Sequence, residues 1–191
     1  MIEIRIHGRG GQGNVVAAYL LATAAIEQGG FAQAFPAFGA ERRGAPVAAF
    51  VRIANQPFRR RDQVAQPDFL IIQDAALLHV PGITDGLRQG GAILVNSNKA
   101  REELGAGLNG SVVTLPATAL AKEHLGRPVP NTALLSAYLA LTGLLPVDAL
   151  IGALSHRFKD KILEANTNLI RAAAEHVEAG AWNEVMHAAS A

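Results

Sequence analysis

The stretch Ile6-His7-Gly8-Arg9-Gly10-Gly11-Gln12-Gly13-Asn14-Val15-Val16 constrains this chain more than any other. Before it, Ile2, Ile4 and Ile6 alternate with Glu3, Arg5 and His7, the period of a strand with one apolar face. After it, Asn14 to Gln28 is rich in Ala, Leu and Val and halts at Gly29-Gly30, as a helix does. Gly8, Gly10 and Gly13 fit G-x-G-x-x-G at the strand-to-helix joint. Bare backbone turns tightly there and comes close to a ligand, while the helix behind it offers unpaired N–H groups and partial positive charge. Phosphate is the natural guest. A tight turn with no ligand is the plainer alternative.

A dinucleotide site of the usual kind also needs an acid near the end of the second strand to hold ribose hydroxyls. Here that region reads Gly30-Phe31-Ala32-Gln33-Ala34, and Glu27 falls on the helix before it. The nicotinamide reading therefore lacks its second anchor. Gly11 frees a further amide, and Gln12 can both donate and accept. Downstream, Gly39 and Gly44 bracket Glu41, Arg42 and Arg43. Twin arginines between glycines suit forked contacts to a phosphate or carboxylate, or to acids on a partner protein. Arg59, Arg60 and Arg61 read as a solvated run.

The rest of the chain alternates strand-like and helix-like segments. A strand or extended segment is expected at "FAQAFPAF", with Pro36 placing its end at an edge or in a loop, and strands at "VAAFVRIA", "DFLIIQDA", "GGAILVNSN" and "GSVVTLPA". Helices are expected near 85–89, from about Thr118 to Leu125, as a buried pair between Pro128 and the turn at Pro146, and over Lys159 to Glu178. Asn131 and Asp148 are candidate caps. The expected class is α/β: a three-layer α/β/α domain over residues 1–191, with a mostly parallel (mixed) sheet, a Rossmann-like start and a helical C-terminal part. An antiparallel pair from "FAQAF" to "VAAFVRI" would make the sheet mixed.

Half of the residues are apolar, which excludes a disordered chain, and the net charge of +1 gives no field for nucleic acid. There is no cysteine, so no disulfide, thiol nucleophile or cysteine-held iron–sulfur cluster is available. No metal spacing and no catalytic constellation stands out; the six histidines read as structural or exposed. The N-terminus has no signal-peptide pattern, no membrane span is expected, and a cytoplasmic location follows as the expectation.

Two segments together, "IRIHGRGGQGNVVAAYLLATAAIEQG" and "FPAFGAERRGAPVAAFVRI", closely resemble the gamma subunit, or fused gamma domain, of the 2-oxoacid:acceptor oxidoreductases of the pyruvate:ferredoxin oxidoreductase type. "PDFLIIQDAALL", "GAILVNS" and "PNTALLSAYLALTGLLP" extend the likeness in order through nearly the whole chain. The resemblance implies a subunit that is not catalytic alone. Its enzyme oxidatively decarboxylates a 2-oxoacid to acyl-CoA, carbon dioxide and reduced acceptor. Thiamine diphosphate and iron–sulfur clusters are implied in partner chains, together with a 2-oxoacid-binding chain and an anaerobic setting. Pyruvate, ketoisovalerate, indolepyruvate and phenylglyoxylate types all fit.

The same resemblance implies that coenzyme A is bound at or near this chain, which also helps complete the assembly. Candidate contacts are the loop residues Gly8, Arg9, Gly10, Gly11, Gln12 and Gly13, the charged residues Glu41, Arg42 and Arg43, and Asn96, Asn131 and Thr132. The alternative is a free-standing dinucleotide-binding domain or reductase.

Overall fold

The computed structural model describes residues 1–37, 45–105 and 108–190. Glu41, Arg42 and Arg43 lie outside the described residues. The elements are strand β1 (Ile2–Arg9), helix α1 (Asn14–Glu27), β2 (Phe31–Pro36), β3 (Pro46–Ala54), β4 (Phe69–Ile72), β5 (Ala92–Asn96), β6 (Ser111–Leu115), α2 (Ala117–Leu125), α3 (Asn131–Thr142), α4 (Ala149–Ser155), α5 (Asp160–Glu175) and α6 (Asn183–Ser190). Two 3-10 turns, Ala75–His79 and Arg101–Leu104, sit in the crossovers after β4 and β5.

The strands form one six-stranded sheet in the order β2-β3-β1-β4-β5-β6. β1, β4, β5 and β6 are parallel neighbours, and β3 runs antiparallel to both β1 and β2. This is the expected mixed sheet. Alternation sorts the side chains. Ile2, Ile4 and Ile6, with Ala49, Val51, Ile53, Phe69, Ile71, Ala92 and Leu94, enter the large core shared with the α-helices. Alanines at 17, 18, 22, 24 and 25 let α1 lie close on that face. α3 has apolar residues all round and is buried along almost its whole length, as a central helix must be.

The opposite face carries a second, smaller core. Leu70, Ile72, Ile93, Val95 and Val112 pack there with Leu77 and Ile83, and Leu104 and Leu108 close the edge. Among the described residues, 3-10 turns and loops pack over this face. No helix forms near 85–89. Gly86 and Gly90 adopt positive φ (77° and 79°). A Cβ on Gly86 would lie 2.1 Å from the Ala65 carbonyl oxygen, so the chain bends there under close backbone contact.

Where β1 and β3 turn polar side chains to this second face, an ion-pair network fills the space. Arg52 is fully buried and donates to Glu3 at 2.7 Å and to the Asp62 carbonyl at 2.7 Å. Arg88 donates to Glu3 at 3.1 Å. The Phe35 ring lies 5.6 Å from the Arg52 guanidinium carbon. Glu3 thus anchors three arginines, with Arg60 at 3.7 Å as the third. Polar residues alternating along β1 are a second, electrostatic core and not a solvated face.

The connection from β1 through α1 crosses the large-core face towards β2, whereas the connections from β4 to β5 and β6 cross the other face in the opposite direction. Between β1 and β4 the winding reverses. Open α/β sheets bind ligands outside the carboxyl ends of the strands at such a point.

Candidate functional site

The glycine loop occupies that point. It is held by its own atoms. The Gln12 amide donates to the Arg9 carbonyl at 3.0 Å, and the Arg9 amide donates to Gln12 Oε1 at 2.7 Å. Gln12 therefore braces the loop with its side-chain oxygen. The Gly10 amide donates to the Ala45 carbonyl at 3.0 Å, joining the loop to the start of β3. Among the described residues, no acceptor is bound by the amides of Gly11 and Gly13. In the first turn of α1, Asn14, Val15 and Val16 have no intrahelical acceptor by construction. These amides are the loop's free donors.

Each glycine has its own reason. Gly13 caps α1 with φ 82°, and a Cβ on it would meet Asn131 Nδ2 at 2.7 Å. Gly8 lies under the Asn14 carboxamide, whose Oδ1 would be 2.2 Å from an added Cβ. Gly11, at φ 93°, has open space where its side chain would be.

Below the loop, register sets a polar row on the face shared with the helices. The β1–β4 and β4–β5 ladders run through His7–Ile72 and Ile72–Val95, so Gly8, Gln73 and Asn96 come next on adjacent strands. Asn96 accepts from the Thr118 amide (3.1 Å) and donates to Thr118 Oγ1 (2.7 Å) and the Gln73 carbonyl (2.9 Å). It ties β5 to α2 and β4. Asn131 is the first residue of α3 rather than its cap: Pro130 precedes it, and Asn131 Oδ1 accepts from the Thr132 amide at 2.8 Å. Its Nδ2 approaches the Gly13 carbonyl at 3.5 Å. Asp148 stands at the cap of α4 without a side-chain bond. The starts of α1, α2 and α3 thus meet at the carboxyl edge of the sheet, bringing Gly8, Arg9, Gly10, Gly11, Gln12, Gly13, Asn96, Asn131 and Thr132 into one region.

Three residues at this edge were not singled out by sequence. Gln73 is buried, and neither its Oε1 nor its Nε2 has a partner among the described residues. Asn14 donates to the Val47 carbonyl at 3.0 Å, but its Oδ1 is similarly unmatched. Asp74 receives Arg9 Nε at 2.5 Å, linking the ends of β1 and β4, and its other oxygen accepts from the Ala76 amide at 3.0 Å. The available signal was position: Gln73 and Asp74 are the first polar residues after an apolar strand. His7 lies on the other side of β1, buried. Loss of solvation, reinforced by Arg5, lowers its pKa to about 3, so it is a neutral imidazole near neutral pH.

The chain matches the family model described as pyruvate ferredoxin/flavodoxin oxidoreductase over residues 3–176. It belongs to that family. Pyruvate synthase subunit PorC of Methanothermobacter marburgensis is 46% identical over 178 residues, covering 93% of this chain and 98% of the relative. The pyruvate/ketoisovalerate oxidoreductases common subunit gamma of Pyrococcus furiosus is 43% identical over 181 residues, 93% and 98% of the two chains. The crystal structure of pyruvate oxidoreductase subunit PORC from Thermotoga maritima superposes with a TM-score of 0.82 at 38% identity, over 91% of this chain and 95% of that one. A structure of 2-oxoglutarate:ferredoxin oxidoreductase from Magnetococcus marinus, with 2-oxoglutarate, coenzyme A and succinyl-CoA bound, shares the fold. Its TM-score is 0.74 at 20% identity, over 93% of this chain and 32% of that chain. This family member is thus of gamma-subunit type. Among its described residues no helix is long and apolar enough to cross a membrane.

Proposed function

We propose that this chain is the gamma subunit of a multi-subunit 2-oxoacid:acceptor oxidoreductase, a single gamma-type domain over residues 1–191, and that its glycine loop binds the phosphate-bearing end of coenzyme A. The observation that carries the reading is the loop at the winding reversal, with the amides of Gly11, Gly13 and the first turn of α1 open to an anion. Arg9 stands at the same edge. Arg42 and Arg43, outside the described residues, are proposed as further cationic contacts, with Glu41 beside them. Asn96, Asn131 and Thr132 hold the helix starts that frame the site.

The work of such a subunit is positioning. Thiamine diphosphate, in a partner chain, supplies the carbon chemistry when bound, and iron–sulfur clusters in partner chains carry electrons to the acceptor. This chain holds the nucleotide end of coenzyme A so that its thiol is presented there, replacing a bimolecular encounter by a local one. The alternative, a free-standing dinucleotide-binding reductase, is disfavoured by β3. The strand beside β1 on that side is antiparallel, so the parallel second strand that brings an acid to the ribose in dinucleotide folds does not adjoin the loop.

The test is co-expression with the partner chains, purification of the complex, and dye reduction dependent on a 2-oxoacid and coenzyme A. Replacing Arg42 and Arg43 together by alanine is expected to raise the coenzyme A KM at least about tenfold, the scale of lost charged hydrogen bonds. An unchanged KM in a normally assembled complex refutes the positioning role.

A further inference from the structure

A carboxylate at the mouth of an anion site calls for a physical reason. Arg9 adjoins the loop amides in sequence, and its Nε faces Asp74 Oδ2 at 2.5 Å. Both side chains are partly exposed, at 35% and 25%, so the pair is not sealed into the core. Asp74 is fixed independently of Arg9, because its Oδ1 accepts from the Ala76 amide and starts the 3-10 turn Ala75–His79. The carboxylate therefore has an anchor that does not depend on Arg9.

We propose that Asp74 is a resident anion that competes with the ligand's phosphate for Arg9, and so sets the affinity of the site. This inference rests on the reading of the loop as a phosphate site. A ligand phosphate, carrying more charge than a carboxylate and supported by the amides of Gly11, Gly13 and the α1 first turn, draws the guanidinium away from Asp74. A singly charged small anion gains less from those donors and does not. Asp74 is thus a specificity-determining residue: it weakens binding of every anion by the cost of separating Arg9 from Asp74, and only a multiply charged, well-fitted group recovers that cost. Such pairs are weak enough for the exchange to be reversible.

The experiment is steady-state kinetics of the assembled oxidoreductase with coenzyme A varied, for wild type, Asp74→Asn, Arg9→Ala and the double variant. Asparagine keeps an oxygen for the Ala76 amide and removes only the charge. Asp74→Asn is expected to lower the coenzyme A KM by about two- to fivefold, the range for breaking an exposed pair. The gain should shrink at high ionic strength and vanish when Arg9 is alanine. Arg9→Ala alone should raise KM. If Asp74→Asn raises or leaves KM while Arg9→Ala raises it, Asp74 positions Arg9 or is merely structural, and the proposal is overturned with the loop reading intact. If neither variant moves KM, the phosphate does not lie at Arg9, and both fall. Asp74→Ser, which also keeps a capping oxygen, must give the same sign; a raised KM there counts against the proposal equally.

Discussion

Replacing Gly11 and Gly13 one at a time by alanine separates what the loop needs for folding from what it needs for binding. Both residues have positive φ, 93° and 82°. An L side chain in the left-handed region costs roughly 1–2 kcal/mol. At Gly11 that is the whole cost, because an added methyl meets no atom of the described residues within 4 Å. At Gly13 the methyl would sit 2.7 Å from Asn131 Nδ2, so Asn131 must shift. Its links to the Thr132 amide and the Gly13 carbonyl weaken with it. Adding about 0.5–1.5 kcal/mol for each hydrogen bond lost brings Gly13→Ala to about 2–5 kcal/mol. At about 2–4 °C per kcal/mol for a chain of this size, Gly11→Ala should lower Tm by about 2–8 °C, and Gly13→Ala by about 4–20 °C. Calorimetry on the purified chain gives both values. Binding should rank them the other way. The Gly11 methyl projects into the open space beside the free amides, so coenzyme A KM in the assembled enzyme should rise more for Gly11→Ala than for Gly13→Ala. A Gly13→Ala chain no less stable than Gly11→Ala would refute the steric account. A Gly11→Ala complex with normal coenzyme A KM would refute the placement of the ligand.

Acid should expose His7. Its folded pKa, near 3, lies below the ordinary value of 6.5, so its contribution is complete above about pH 6.5 and is lost as pH falls towards 3. In urea titrations from pH 7 to pH 4, His7→Gln should lose less stability than wild type; equal slopes would contradict the burial argument. Glu3→Ala leaves the fully buried Arg52 without its carboxylate and should cost about 3–5 kcal/mol, measured by denaturant unfolding. Glu3→Met combined with Arg52→Met should recover most of that loss, and a double variant as unstable as Glu3→Ala would show that packing, not charge, governs the region. Gln73→Met removes a buried carboxamide with no partner among the described residues and should raise Tm by a few degrees, following the roughly 1–3 kcal/mol cost of an unmatched polar group. A fall in Tm would mean that the carboxamide is matched in solution.

Local patterns carried the element order. Period-two alternation at Ile2, Ile4 and Ile6 placed β1, the double glycine ended α1, and the short apolar run before Gln73 marked β4. The glycine loop with its helix was legible because the chemistry of that joint is written in consecutive residues. Pro36 likewise ended an edge strand, since a missing N–H is tolerated there. The bend at Gly86, expected as helix, shows the limit: its conformation follows from the Ala65 carbonyl 21 residues away.

What tertiary structure decided was long-range. Glu3, Arg52 and Arg88 are far apart in sequence, and only strand pairing and the crossover loops join them into one network around the buried Glu3–Arg52 pair. Likewise Gly8, Gln73 and Asn96 become neighbours through ladder register, and Arg9 meets Asp74 because β1 and β4 end side by side. Sequence by itself determined most of the segments that would be strand, loop and helix, and that bare backbone would lie at the joint of β1 and α1. It did not determine which polar groups would share that place, because a hydrogen bond or ion pair depends on distances that the chain acquires only when its strands align.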